Sequence, residues 1–133
     1  MATATRTLQG TRVMPSLTVN DLQRSLDFFS ALGFEIEDRW EEKGVLIGAM
    51  LKAGTARLGL SQDDFKKGRD RVKGVGMRIY IEAADNIDEV AARAKAAGVT
   101  LQREPHDTDW GSRAFEATEP SGFVLTIGSP AAT

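Results

Sequence analysis

The feature that most constrains this chain is that it says the same thing twice. Pro15 to Glu35 (PSLTVNDLQRSLDFFSALGFE) alternates apolar and polar residues, reaches a capping residue, turns amphipathic, stops at a glycine and becomes extended again. Pro15, Leu17 and Val19 carry the period-2 pattern of a half-buried strand. Asn20 is expected to cap a helix, with Gln23 in the reciprocal position. Leu22, Leu26, Phe29 and Leu32 form its apolar face, and Gly33 ends it. From Gly76 the pattern returns. Ile79, Ile81 and Ala83 alternate with Arg78, Tyr80 and Glu82, Asp85 is the expected cap, Ile87, Val90, Ala91 and Ala94 make the face, and Gly98 stops it. Met14 to Arg78 and Asp21 to Asp85 are shifts of 64 positions, whereas Leu22 to Ile87 and Gly33 to Gly98 are shifts of 65. One inserted residue therefore reconciles two copies of the same unit.

Each copy continues with three strands. In the first they are expected at Glu35–Trp40, Gly44–Leu51 and Thr55–Ser61, with a hairpin turn at Ala53-Gly54-Thr55. In the second, Val99–Arg103 is a strand, Glu104–Gly111 a polar loop, Ser112–Ala117 a strand, Glu119–Gly122 a turn and Phe123–Gly128 the last strand. The fold class is thus α+β, two βαβββ modules. Residues 1–11 read as an N-terminal arm, 12–61 as the first module, 62–75 as a linker, 76–128 as the second module and 129–133 as a frayed tail. The linker (QDDFKKGRDRVKGV) mixes basic and acidic residues and is expected to be solvated.

Composition narrows the function. Lys and Arg number 17 against 19 Asp and Glu, a net charge of −2, so no field favours nucleic acid or an anionic membrane. There is no cysteine, which removes disulfides, thiolate metal sites and a thiol nucleophile. No run approaches the roughly 18 apolar residues of a membrane span, and no apolar signal core opens the sequence, so a cytoplasmic location is expected.

The segments LTVNDLQRSLDFFSALGFE, RIYIEAADNIDEVAARAKAAGV and WGSRAFEATEPSGFVLTIG, in that order and spacing, make residues 12–128 similar to the vicinal oxygen chelate superfamily. That superfamily holds glyoxalase I, extradiol dioxygenases, fosfomycin-modifying enzymes and bleomycin-resistance proteins. The resemblance implies a cup-shaped mixed sheet around a small-molecule site, commonly completed by a second subunit, and hence a homodimer. Strand parity then points Leu17, Val19, Leu58, Leu60, Ile79, Ile81, Leu125 and Ile127 at the helices. Met14, Ser16, Thr18, Gly59, Arg78, Tyr80, Glu82, Val124 and Thr126 would line the concave side.

In the metalloenzymes of that superfamily, His, Gln or Glu occupies four concave positions. By repeat register and parity these fall here on Met14, Arg78, Thr126 and Gly59, with Ser61 as the alternative to Gly59. A divalent ion needs converging nitrogen or oxygen donors, so neither metal nor any other cofactor is expected. The resemblance is therefore nearest to the metal-free, bleomycin-resistance-like branch, whose members sequester a drug and leave it unchanged. Ligand contacts are expected from Met14, Ser16, Trp40, Gly59, Arg78, Tyr80, Glu82, Trp110, Arg113 and Thr126. Among these, Trp40, Tyr80 and Trp110 offer flat surfaces, joined by Phe115. Arg113 suits a cation–π or hydrogen-bonding contact, and Arg78 suits a carboxylate, phosphate or enolate-like oxygen. Trp40 reads equally as a core or interface aromatic. His106, the one histidine, is a loop base or a plain surface residue. Glu82 and Glu116 are a structural ion pair or a general base, and Glu82 is placed to join Arg78 and Tyr80.

Three functions remain open at this level. One is a small-molecule binding protein holding a drug or metabolite. Another is an enzyme, either a metal-dependent lyase with atypical ligands or a metal-independent isomerase. The third is a non-catalytic dimeric interaction domain.

Overall fold

The computed structural model describes residues 6–131. Positions 1–5 of the expected arm and 132–133 of the expected tail lie outside the described residues. The elements run β1 (Ser16–Val19), α1 (Leu22–Ala31), β2 (Glu35–Glu42), β3 (Val45–Ala53), β4 (Ala56–Gln62), β5 (Ile79–Glu82), α2 (Ile87–Ala96), β6 (Leu101–Asp107), β7 (Arg113–Thr118) and β8 (Val124–Gly128). This is βαβββ twice, as the repeat requires. Each module makes its own four-stranded sheet, ordered β1-β4-β3-β2 and β5-β8-β7-β6. The first strand of each module lies parallel to the last, Ser16 opposite Gly59 and Ile79 opposite Leu125, and the other pairings are antiparallel.

Both helices form for the expected reasons, with caps displaced by one residue. Asp21, not Asn20, caps α1 by accepting from the Arg24 N–H at 3.2 Å. Asn86, not Asp85, caps α2 by accepting from the Glu89 N–H at 3.1 Å. Asn20 is used elsewhere: its N–H donates to Ser121 Oγ at 2.8 Å, and its side-chain oxygen accepts from Lys73. Cap to cap the shift is 86 − 21 = 65, so the inserted residue precedes the second helix cap. Gly33 and Gly98 end the helices at φ +104° and +98°, a region that costs other residues strain.

Most strand ends shift by one or two residues from the expected bounds, and two of the differences have a clear physical cause. Gly44 belongs to the β2–β3 turn with Lys43, at φ 78° and 51°, the paired positive angles of a tight hairpin. Strand β6 runs on to Asp107, through the expected polar loop and through Pro105. Proline is tolerated there because β6 is an edge strand with a register shift between Arg103 and His106.

The helix-facing sides of both sheets feed one core. Leu17, Val19, Leu58 and Leu60 from the first module join Phe115, Leu125 and Ile127 from the second, with Ile79 and Ile81 partly buried against them. Phe29, fully buried, meets Phe28 and Phe34 edge-on at centroid distances of 5.2 and 5.3 Å. Each such pair adds about 0.5–1.5 kcal/mol to the area buried. A polar seam joins the modules at one end. Ser25 on α1 donates to Glu119 in the β7–β8 turn, and both are buried.

The linker is largely solvent-exposed, as expected, but Asp63 and Lys73 near its two ends are buried and take part in that seam. The Asp63 and Lys73 side chains are each 5% exposed and pair at 2.7 Å, with Arg71 adding 3.1 Å to the same carboxylate oxygen. Gly74 packs its backbone against Gly122 so closely that a side chain there would strike the Gly122 carbonyl.

Candidate functional site

The side of each sheet turned away from the core, its outer face, carries the residues assigned to the concave side. On the first sheet, Ser16 and Thr18 are exposed, and Gly59 lies directly opposite Ser16. Trp40 pairs with Gly48 across β2 and β3, and its ring sits where a Gly48 side chain would be, 2.9 Å from the position of an added Cβ. Met50 reaches over Gly59 from the neighbouring strand. The result is a glycine-floored face walled by one indole and one thioether. Trp40 is 43% exposed and so stands on this face rather than in the core. Met14 precedes β1 and is half exposed.

The second sheet repeats the device. Tyr80 lies across Gly128, where an added Cβ would sit 3.1 Å from its Cζ and nearer still to the hydroxyl oxygen. Trp110, in the β6–β7 loop, meets Tyr80 at a centroid distance of 6.3 Å and an interplanar angle of 61°. The rings are 45% and 56% exposed, large apolar surfaces held in the open by small residues beneath or beside them. The same face carries Glu116 and Thr126, which are register partners, and Thr126 also pairs with Tyr80. Glu116 lies 3.6 Å from Arg78 and 3.9 Å from Arg103. The Thr126 hydroxyl is buried and has no hydrogen-bond partner.

Several assignments change. Arg78 pairs with Glu116, not with Glu82, because Glu116 stands beside Thr126 in the middle of the sheet; Glu82 is exposed at the end of β5. Arg113 shares its parity with the buried Phe115 and so belongs to the helix-facing side. There it donates to Asp88 at the start of α2 at 2.8 and 3.0 Å and to Asp107 at 3.1 Å. These bonds hold the Asp88 carboxyl below the usual carboxylate range and push the Arg113 guanidinium further up. Arg113 is a tie between α2 and the sheet, on the opposite side from Tyr80 and Thr126. Phe115 is fully buried in the core and offers no stacking surface. His106 is in β6 opposite Ala114, with its Nδ1 2.9 Å from the Glu104 carbonyl, so it is a strand residue rather than a loop base. Arg103 and the central place of Glu116 were not assigned to the site from sequence. Arg103 ends an expected strand beside the expected polar loop and Glu116 lies within the expected strand Ser112–Ala117, and it is the β6–β7 pairing that sets them opposite one another.

The four positions that repeat register and the resemblance assign to a metalloenzyme's ligands, Met14, Gly59, Arg78 and Thr126, hold a thioether, no side chain, a guanidinium and a hydroxyl. Among the described residues no three His, Cys, Asp or Glu side chains converge as a metal site would need. This donor set does not fit a divalent ion, and the Arg78 cation opposes one.

A family model described as the Glyoxalase/Bleomycin resistance protein/Dioxygenase superfamily matches residues 11–127. The chain belongs to this superfamily. Solved structures share the fold at low identity. A superfamily member from Sphaerobacter thermophilus is 24% identical, with a TM-score of 0.69 over 92% of this chain and 100% of that one. TioX from Micromonospora sp. ML1 is 20% identical, with a TM-score of 0.72 over 90% and 98%. A glyoxalase/bleomycin resistance protein/dioxygenase from Nocardioides is 19% identical, with a TM-score of 0.65 over 92% and 85%. No curated protein matches the chain. Among the described residues no helix is long and apolar enough to cross a membrane.

Proposed function

We propose that this superfamily member binds a flat small molecule without a metal ion and holds it unchanged. The observation that carries this is the pair of open, glycine-floored aromatic faces, Trp40 over Gly48 and Tyr80 over Gly128 beside Trp110. An aromatic ring exposed on a sheet, with no side chain competing for the space beneath it, is a stacking platform. The mismatched donor set at the metalloenzyme positions supports metal independence. The carboxylate best placed on the second face, Glu116, is engaged by two guanidiniums, Arg78 and Arg103.

Because the two modules join through their helix-facing sides, each outer face opens outward, and a cup needs a second copy to close it. In this reading the first sheet of one chain and the second sheet of another enclose the ligand in a homodimer. Val13, Val72 and Val75, at 83%, 76% and 78% exposed, supply apolar surface for that contact.

The test is elemental mass spectrometry on protein purified without a metal-affinity tag, paired with a thermal-shift screen of planar compounds. The expected result is no stoichiometric metal and a rise in Tm with flat aromatic ligands. Near-stoichiometric nickel, zinc, iron or manganese that the protein needs for binding or turnover overturns the reading.

A further inference from the structure

The second sheet's outer face has a charge pattern that flat stacking alone does not use. Two guanidiniums, Arg78 and Arg103, converge on the single carboxylate of Glu116, leaving one net positive charge at the centre of the face. Both contacts, at 3.6 and 3.9 Å, are longer than hydrogen bonds. Other arginines close fully on their carboxylates, Arg57 on Glu37 at 3.0 Å and Arg113 on Asp88 at 2.8 Å, although the exposed pair Arg93–Asp85 is equally loose at 3.8 Å. Arg78 and Arg103, 65% and 62% exposed at their side chains, keep their planar donor forks available. Thr126 makes the second, independent observation. It is 6% exposed, its hydroxyl is unpartnered, and its register pairing sets it between Tyr80 and Glu116 on this same face. Buried hydroxyls are rarely left so, and one that is marks a polar arrangement completed by something else.

We propose that Arg78 and Arg103 form an anion subsite, and that the ligand is an aromatic carboxylate. This rests on the stacking reading above and adds the ligand's charge. The spacing supports it. Arg78 directly precedes β5 and Tyr80 is two residues on, about 6.6 Å away along extended chain, so a ring on Tyr80 and Trp110 places an attached carboxylate near the guanidiniums. A carboxylate takes two parallel N–H donors from an arginine fork, which a neutral amide or alcohol cannot match. The incoming anion also relieves the crowding of two cations around one acid. As Arg78 turns to the ligand, Glu116 becomes available to accept the Thr126 hydroxyl.

The experiment compares 2-naphthoate with 2-naphthamide, a probe of the same shape without the charge, by isothermal titration on the wild-type protein, Arg103→Met, Arg103→Lys and Thr126→Val. Naphthoate is expected to bind the wild type about tenfold more tightly than naphthamide. Arg103→Met abolishes that preference and leaves naphthamide unchanged, and Arg103→Lys restores part of it. Thr126→Val weakens naphthoate alone. Arg103 is exposed, so its variants are expected to fold. Equal affinity for the two probes in the wild type overturns the anion subsite while leaving the stacking reading intact. A naphthoate preference that survives Arg103→Met also overturns it. Binding of neither probe at millimolar concentration overturns the stacking reading as well.

Discussion

Truncating Glu119 is expected to damage this fold more than its place in a turn suggests. Glu119 is 1% exposed and holds two donors, the hydroxyl of fully buried Ser25 and the Ser121 N–H at 2.5 Å. Glu119→Ala orphans both. The Ser25 hydroxyl has no route to water, and leaving it unsatisfied costs about 1–3 kcal/mol. Ser121 is half-buried, so its N–H can regain water and adds about 1 kcal/mol at most. The expected loss is about 1–4 kcal/mol, a large share of the roughly 5–15 kcal/mol that holds a domain together. Glu119→Gln keeps an acceptor for Ser121 and can donate its amide to Ser25, so its loss stays below about 1.5 kcal/mol. Urea unfolding followed by tryptophan fluorescence measures both, with an unchanged slope showing that the folded and unfolded states are comparable. A Glu119→Ala midpoint indistinguishable from wild type, or a Gln variant as damaged as the Ala variant, refutes the reasoning. A cycle with Ser25→Ala assigns the coupling to the pair.

Three further outcomes follow from the same geometry. The Lys73 hydrogen bond, then the Phe65 N–H, depress the Asp63 carboxyl from 3.8 to about 2. Its stabilisation is therefore complete above pH 3.8 and is lost as pH falls towards 2, and acid titration of Asp63→Asn by circular dichroism should lack that component. Gly128→Ala drives the exposed Tyr80 ring off its seat, costing about 1 kcal/mol or less in stability while lowering affinity for flat ligands about tenfold; a variant with wild-type affinity contradicts the platform. Gly48→Ala behaves differently, since its methyl meets the Leu60 carbonyl as well as Trp40, both at 2.9 Å. Backbone yields less readily than a side chain, and about 1–3 kcal/mol of stability should go with the stacking surface, read by urea midpoint.

Much of the fold was legible because it is written in local pattern. The two helix faces, the stops at Gly33 and Gly98 and the alternation in β1 and β5 all arise within a few residues. The caps were misplaced by one position because Asn20-Asp21 and Asp85-Asn86 each offer two competent residues. Local sequence cannot show that Asn20 is claimed by Lys73 and Ser121, 53 and 101 positions away. The expected strand stops at Arg103, ahead of Pro105, whereas β6 continues to Asp107, because only the sheet order reveals it as an edge. The site divides the same way. Parity found Ser16, Gly59, Arg78, Tyr80 and Thr126 together on outer faces. It could not find that Glu116 rather than Glu82 is the partner of Arg78, because that depends on β8 lying between β5 and β7. Side-chain chemistry alone suits Arg113 to a ligand contact, but its parity with the buried Phe115 puts it on the helix-facing side, where Asp88 and Asp107 engage it.

The central claim is that Trp40 and the Tyr80–Trp110 pair, on different sheets, serve one ligand. The chain has only two tryptophans, so Trp40→Phe and Trp110→Phe each leave a single reporter, one per sheet. Fluorescence quenching by a flat carboxylate such as 2-naphthoate, in chelator-treated protein, tests the claim directly. Quenching of both reporters at similar ligand concentration is the predicted result. Quenching of one sheet's reporter alone, or of neither, contradicts a shared metal-free cup.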